Sequence, residues 1–386
     1  PGQEVGREGM STTKHNDVSL TIHMVVNRAV MLVVASAWLF LRLRRLAQGD
    51  LTWPLLGIAM HLGLDGLTHG WPEVRRVLGE LTTLPSDDSG LRSLCRQLSR
   101  LNQYITRYSG VVLFTFLALP VLGARYMIED WFYCGATPAT GLLWPALIVL
   151  LCVGFCSTAH LTSHRYFTHR SFRACRPVQA LLGVSAAATG QGGAFEWASA
   201  HVRHHRECEG DRDPHSPARH GLLEAHLLWL TRSEYFLVDP ARLPSCARDC
   251  LELWLCEAFS IDISALLMQL LAGGLQMAVL PDCADPDVVV LLAYSLSLHA
   301  VSLTNSWCHE RNGPDGACAA QDVPWVALLN GGEGWHRRHH DDPSCANHGL
   351  TSGGLDVTYL MICALERLRI VSDVRHGSTT KVEKKL

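Results

Sequence analysis

Four stretches of about 20 mostly apolar residues limit what this chain can fold into. They run over about 109–128, 142–161, 258–280 and 288–308. A helix that crosses a bilayer needs this length, and it must satisfy its own backbone polar groups because lipid cannot. Charged residues make up only 18% of the chain, against roughly 25% in soluble domains. The sequence therefore predicts an all-α integral membrane protein with four transmembrane helices.

The charges between these stretches predict how the helices are oriented. The connections 129–141 and 281–287 contain acidic residues and no lysine or arginine, whereas 162–250 carries eleven arginines. Because Lys and Arg accumulate on the cytoplasmic side, we expect two hairpins under a large cytosolic helical cap. Two shorter runs, near 25–41 and 51–67, are left open as a further hairpin, a re-entrant segment or surface helices.

These features divide the chain into three regions. Residues 1–107 form an N-terminal region with room for extra membrane-associated helices, 108–375 form the main domain, and 376–386 form a basic C-terminal tail. The net charge of −3 does not indicate a nucleic acid partner. The fourteen cysteines include no CxxC pair, and we expect them to be reduced, without a disulfide framework or a zinc ribbon.

Histidines cluster in three short segments at the ends of the apolar stretches and in the large loop. The first contains His164 and His169, five positions apart. The other two follow the pattern HxxHH and contain His201, His204 and His205, and His336, His339 and His340. Residues at i, i+3 and i+4 share a helix face, so each HxxHH box is expected to aim three imidazoles at one point. The i, i+5 pair suits a helix end or two different metals.

Eight imidazoles on one side of the membrane predict a metal site. Neutral imidazole is a common transition-metal ligand, and eight are too many for one ion, so two metals are implied. Imidazole suits zinc, copper, iron and nickel, and ligand type alone does not choose among them. Asp213, Asp341 and Asp342 are candidate acceptors for the second ring nitrogens. His215 is evenly balanced between ligand and structural roles. Three other histidines are expected to be structural: His160, His226 and His299.

Taken together, these motifs resemble those of membrane fatty acid desaturases of the acyl-CoA (stearoyl-CoA, delta-9) type. The matching segments are "SHRYFTHRSF", "HVRHHRECEGDRDPHSP", "NSWCH" and "GEGWHRRHHDDPSCANHGL", in the expected order over about residues 108–375. The resemblance implies that 108–375 is a desaturase domain. It also implies an oxidoreductase that introduces a cis double bond, expected at delta-9, into a saturated fatty acyl chain carried as acyl-CoA or acyl-lipid.

The resemblance further implies a di-iron site with two Fe²⁺ ions, O₂ as co-substrate and nine histidine ligands. Eight are the boxed residues, the ninth is His309, and Asn305, four residues earlier, is expected to hold a metal-bound water. An external donor, cytochrome b5 or ferredoxin, is implied because the chain lacks the His-Pro-Gly-Gly haem signature. The expected location is the endoplasmic reticulum membrane with cytosolic His boxes, and a plastid membrane is second.

Alternative functions stay open. A related His-box lipid hydroxylase would make an alcohol in place of an alkene. An inactive desaturase-like protein is motivated by departures from the family pattern, which include Arg337, Arg338 and Asp341 in the third box and "TSGG" after "NHGL". None of these departures removes a predicted ligand. A metal transporter is disfavoured, because its ligands should lie at the membrane midplane rather than at one end of the helices.

Overall fold

Helices form most of the structure, which is a computed structural model. It describes residues 114–133, 138–232, 249–278, 286–309 and 318–378, together with residues 92, 95, 96, 99 and 238. All of these fall within one unit, Ser86–Leu386. The predicted N-terminal region 1–107 lies almost wholly outside the described residues, as do residues 379–386 of the predicted tail. The boundaries proposed at 107 and 375 therefore stay predictions.

The predicted helical class is confirmed within the described residues. The α-helices are α1 (Leu119–Tyr133), α2 (Pro138–Ala159), α3 (Arg176–Ala188), α4 (Ala194–Glu207), α5 (Pro217–His220), α6 (Leu222–His226), α7 (Leu251–Ala258), α8 (Ser260–Ala278), α9 (Pro286–Trp307), α10 (Pro324–Leu329), α11 (His336–Asp341) and α12 (Val357–Arg367). A π-helical segment precedes α1 (Phe114–Ala118) and another follows α2 (His160–Thr168). Strands β1 (Arg173–Ala174) and β2 (Val371–Ser372) pair antiparallel.

Two helices of the described chain are long and apolar enough to cross a membrane. They are Leu142–Thr168, with a mean hydropathy of 2.2, and Pro286–Trp307, with 1.6. α7 and α8 supply a third candidate if Leu251–Ala258 and Ser260–Leu275, which meet at a 73° bend, act as one span. On α2, Leu142 and Leu150 expose 72% and 67% of their surfaces, as lipid-facing side chains do. The structure thus supports two to three spans.

The remaining predicted stretch, 109–128, which comes first along the chain, falls partly on α1. This helix also carries Arg125 and Glu129, which form an exposed ion pair at 2.7 Å one turn apart. By length and composition, α1 is not among the candidate spans within the described residues. Four spans arranged as two hairpins therefore stay a prediction.

α9 is the central helix of the bundle and contacts α1, α2, α6 and α8. Its residues Val289, Leu292 and Ala293 form one buried apolar cluster with Trp144 and Ile148 of α2. Between apolar helices in lipid, this close van der Waals packing is the main source of association, since lipid is as apolar as the side chains. A second cluster, of Cys152 and Cys156 of α2 with Ala300 of α9, lies nearer the C-terminal ends of the two helices, which lead directly into predicted metal ligands.

The prediction that all cysteines are reduced is wrong. Cys208 and Cys318 form a disulfide, although they lie 110 residues apart. The other described cysteines are free. The pairing depends on the approach of the end of α4 to the segment before α10, which only the folded chain brings about. Since no CxxC spacing marks the pair, the sequence contains no signal for it.

Gly334, two residues before α11, provides a test of this packing. A Cβ there would collide with the backbone nitrogen of Ala327 and lie 2.6 Å from the backbone oxygen of Val323. Backbone atoms cannot swing away, so Gly334→Ala is expected to lower the free energy of unfolding by about 1–3 kcal/mol. Thermal unfolding in detergent measures this. Gly154→Ala on α2, where the added Cβ meets nothing within 4 Å, is the control. Equal midpoints for the two variants would contradict the prediction.

Candidate metal centre

The structure brings the nine predicted histidines together in two neighbouring groups. Within each group, the candidate ligand atoms all lie within 4.8 Å of one another. The five-histidine group contains His164, His169, His201, His205 and His339, and the four-histidine group contains His204, His309, His336 and His340. All nine rings are buried or half-buried. Asn305 is partly buried near the end of α9, and its link to a metal through water stays a prediction.

Each HxxHH box is divided between the two groups, so the expectation that a box aims three rings at one point is wrong. The first and last histidines of a box share a group, and the middle one, His204 on α4 or His339 on α11, joins the other group. The cause is helix geometry. At about 100° per residue, positions four apart are offset by about 40° and positions three apart by about 60° in the opposite sense.

The first box lies on the π-helical segment that extends α2. The backbone N–H of His169 donates to the carbonyl oxygen of His164 at 3.1 Å, an i→i+5 bond. This wider winding brings residues five apart to the same side, which α-helical spacing does not do. His169 directly follows the segment, so the helix-end alternative is correct. The pair is not split between groups, because both rings belong to the five-histidine group.

Carboxylates from distant parts of the chain cap the helices that carry the other two boxes. At the start of α4, Glu257 accepts from the backbone N–H groups of Phe195 and Glu196 at 3.0 and 2.7 Å. At the start of α11, Asp322 accepts from the N–H of Arg337 at 3.0 Å. Both caps satisfy N–H groups that a helix leaves free at its first turn.

Buried carboxylates also face the Nδ1 atoms of three rings. The pairs are His204 with Asp213 at 2.8 Å, His309 with Glu209 at 2.8 Å, and His164 with Glu333 at 3.0 Å. A proton held on Nδ1 by a carboxylate leaves the lone pair of Nε2 free for a metal and fixes the orientation of the ring. His204 and His309, whose Nδ1 atoms are hydrogen-bonded to carboxylates, are therefore preset as Nε2 ligands, whereas the contact between His164 and Glu333 is an ion-pair distance only.

The Nε2 atoms converge on one another in a way that suits a bound cation. His339 Nε2 lies 3.2 Å from that of His164, 3.3 Å from that of His201 and 2.8 Å from that of His205. One ring N–H can donate to only one of these neighbours, so the remaining lone pairs face each other and repel unless a cation lies among them. The nitrogen donor set fits transition metals that bind imidazole, iron among them.

Burial keeps the rings in the form that binds metal. Removal from water, with neighbouring imidazoles adding to the effect, lowers the pKa of His201, His336 and His339 well below its ordinary value. These rings are therefore neutral at pH 7. Burial alone would raise the pKa of Glu333, but the adjacent histidines and Arg165 outweigh it and hold that pKa well below its ordinary value. Glu333 is therefore ionised.

Arg165 is fully buried between two carboxylates and joins the first box to the third. Its guanidinium lies 2.7 Å from Glu333 Oε1 and 3.0 Å from Asp356 Oδ2, and it donates to Ala346 O at 2.6 Å. Asp356 in turn caps α12 by accepting from the backbone N–H of Tyr359 at 2.8 Å. The network holds His164, the segment before α11 and α12 in one arrangement.

The acceptors behind the rings are only partly those that the sequence predicts. Asp213 contacts a ring of the four-histidine group, but Asp342 lies 3.4 Å from Arg338, and Asp341 is exposed. Glu209 and Glu333 are not among the predicted residues. Each lies within four residues of an HxxHH box, in "ECEGD" and "GEGWH", and that proximity is the signal that could identify them.

The histidines outside the boxes have structural contacts. His160 Nδ1 lies 3.0 Å from Asn330 O, and His226 Nε2 lies 3.1 Å from His299 Nδ1, as expected for structural residues. His215 is buried, with its ring 4.9 Å from that of His204 in the four-histidine group.

His348, which the sequence does not predict, lies beside the five-histidine group. Its ring is 4.8 Å from that of His339, and its Nδ1 is 3.1 Å from Glu333 Oε2. His348 and His164 thus share one carboxylate.

Comparison with known proteins identifies similar chains. The family model described as fatty acid desaturase matches residues 136–352. The chain is 29% identical over 276 residues to "Delta-9 desaturase-like 4 protein" of Arabidopsis thaliana, covering 68% of this chain and 87% of that protein. It is 30% identical over 277 residues to "sn-2 palmitoyl-lipid 9-desaturase" of Nostoc sp. (strain 36), covering 67% and 90%. It is 28% identical over 230 residues to "Palmitoyl-monogalactosyldiacylglycerol delta-7 desaturase, chloroplastic" of Arabidopsis thaliana, covering 58% and 60%.

Glu209→Gln tests the role of a carboxylate behind a ring. A neutral amide accepts less strongly from His309, so the four-histidine group is expected to lose about 10- to 100-fold in affinity for ferrous iron. The five-histidine group should keep its affinity, and a titration with iron analysis should become biphasic. Glu207→Gln is the matched control, because Glu207 instead contacts the exposed Arg212 at 2.9 Å. Equal affinities in the two variants would refute the positioning role of Glu209.

Proposed function

The chain belongs to the fatty acid desaturase family, and from this premise we propose that it is an O₂-dependent di-iron desaturase that introduces a cis double bond into a saturated fatty acyl chain. The observation that carries the proposal is the convergence of nine histidines in two buried groups. We assign one iron to each group. The proposed ligands are His164, His169, His201, His205 and His339 for one, and His204, His309, His336 and His340 for the other, with Asn305 acting through water.

When bound, the two irons supply the O₂ chemistry that removes hydrogen from unactivated methylene groups. The chain's own residues hold the ions and set the protonation of their ligands. His204 and His309 offer Nε2, because Asp213 and Glu209 accept from their Nδ1 atoms. Burial of the rings keeps bulk water away from the reacting atoms, which limits side reactions.

The proposed substrate is a saturated acyl chain held as an acyl-lipid or as acyl-CoA, with the double bond placed at delta-9. Two of the relatives described above have lipid-bound palmitoyl substrates in their names, which favours the acyl-lipid carrier. Two of the three have position 9 in their names, which supports delta-9.

The proposed setting is a lipid bilayer crossed by four helices in two hairpins. Support comes from the two to three candidate spans of the described chain and from the apolar length of 109–128. We place the His boxes in the cytosol at the endoplasmic reticulum, with a plastid membrane as the second choice. One relative's name includes the word chloroplastic, which supports the second choice. Cytochrome b5 or ferredoxin is the proposed electron donor.

Expression in a host that requires unsaturated fatty acids tests the activity. The full chain is expected to restore growth and to yield a new alkene, whose position is found by gas chromatography–mass spectrometry of derivatised lipids. His339→Ala removes a ring that contacts three others in the five-histidine group, so product should fall below detection. His220→Ala, at an exposed position on α5, is the matched control and should retain activity.

The remaining outcomes separate the alternatives. Separating lipid classes before analysis shows whether product first appears in acyl-CoA or in a glycerolipid. An alcohol in place of an alkene would favour a His-box lipid hydroxylase. Identical growth and fatty acid profiles for the unaltered chain and His339→Ala would refute the enzymatic proposal and favour an inactive desaturase-like protein.

A further inference from the structure

The Cys208–Cys318 disulfide lies against the four-histidine group. Cys318 Sγ is 3.0 Å from His340 Nδ1, and Cys208 Sγ is 3.9 Å from the same atom. The Nε2 atom of His340 is 3.0 Å from that of His336, inside the group. The disulfide therefore lies behind a proposed ligand ring, in the position that carboxylates occupy behind His204 and His309.

The disulfide also connects segments that carry different ligands. The four rings come from α4, from the end of α9 and from α11, which are far apart in sequence. Cys208 directly follows α4, four residues after His204, and Cys318 lies nine residues after His309. Beyond Cys318 the chain returns to the end of α9, where Gln321 N donates to Cys308 O at 2.9 Å. The disulfide thus ties α4, which carries His204, to the segment that follows α9 and carries His309.

The pair is also accessible to reductants. Cys318 is exposed and Cys208 is half-buried. By contrast, Cys308 and Cys345, which also lie near the boxes, are 0% and 1% exposed. Cys175 is exposed but has no disulfide partner among the described cysteines. In reducing compartments, an exposed disulfide of this kind is reversible and is regulatory more often than structural.

We propose that Cys208 and Cys318 are a reversible redox modification site that controls how long the four-histidine group retains its iron. This inference rests on the proposed function. In the disulfide form, the covalent tie between α4 and the segment after α9 holds the rings together. A dithiol reductant supplies two electrons and two protons, the S–S bond breaks, two thiols form, and the reductant becomes a disulfide. The ligand-bearing segments can then separate, and iron is lost faster.

Thiol counting on the full-length protein in detergent tests the first half of the proposal. Mass-tagged maleimide is added to denatured protein before and after treatment with a phosphine reductant. The unaltered chain is expected to gain two tags upon reduction, whereas Cys318→Ser should gain none. Cys175→Ser, which removes an exposed cysteine outside the pair, should again gain two. For this test, cells are lysed in the presence of the alkylating reagent. Labelling of both Cys208 and Cys318 in the unaltered chain without reductant would overturn the proposal.

Iron release tests the second half. Protein loaded with ferrous iron is mixed with an excess of a chelator that becomes coloured when it binds Fe²⁺, under anaerobic conditions, with and without phosphine. The rate of colour formation measures iron release. In the unaltered chain and in Cys175→Ser, reduction is expected to speed the release of one of two irons by about tenfold. In Cys318→Ser, release should be fast with or without phosphine, which also controls for any direct effect of the reductant on iron.

The outcomes separate this inference from the proposed function. Two bound irons whose release is the same before and after reduction would overturn the redox site and leave the di-iron proposal standing. A preparation that binds no iron would overturn both. Acceleration that affects both irons equally would also count against the inference, because among the described histidines the disulfide contacts His340, a ring of the four-histidine group.

Discussion

The structure depends on burying nine imidazoles whose nitrogen atoms converge in two groups. Without a cation this arrangement is repulsive, and with protonated rings it would be worse, since positive charges would crowd into a site removed from water. Neutrality of the rings is therefore the first requirement, and burial favours it by lowering the pKa values of His201, His336 and His339. The second requirement is orientation, which Glu209, Asp213 and Glu333 meet by facing Nδ1 of three rings.

Burying those carboxylates has a cost that other groups offset. An ionised carboxylate removed from water is unfavourable unless it is paired and hydrogen-bonded. Glu333 is paired with Arg165, and Asp213 also accepts from the backbone N–H groups of Glu209 and His215 at 2.9 Å each. Arg165 adjoins His164 in sequence, so the residue that neutralises the carboxylate lies on the same segment as the ring that the carboxylate orients. The ligands and their supports thus form one unit.

Two kinds of helical winding distribute the rings between the groups. The first box, His164 on the π-helical segment after α2 and His169 directly after that segment, gives both of its histidines to the five-histidine group. The two HxxHH boxes divide their rings in opposite ways. α4 gives two rings to the five-histidine group and one to the four-histidine group, whereas α11 does the reverse. His309 at the end of α9 completes the smaller group. Three boxes and one further residue therefore build two sites. On an α-helix, residues four apart are offset by about 40° and residues three apart by about 60° in the opposite sense, so their side chains point to different places.

The sequence by itself determined the helical class, two to three of the candidate spans and the eight boxed histidines, because apolar length and histidine spacing are local properties. The ninth histidine, His309, was indicated only by the resemblance to a known family. Only the tertiary structure decided how the histidines are divided, that Glu333 and Glu209 face them, and that Cys208 and Cys318 are joined. These features depend on the approach of segments that lie tens to more than a hundred residues apart, such as the 110 between the two cysteines. Helix packing sets that approach, and no local pattern encodes it.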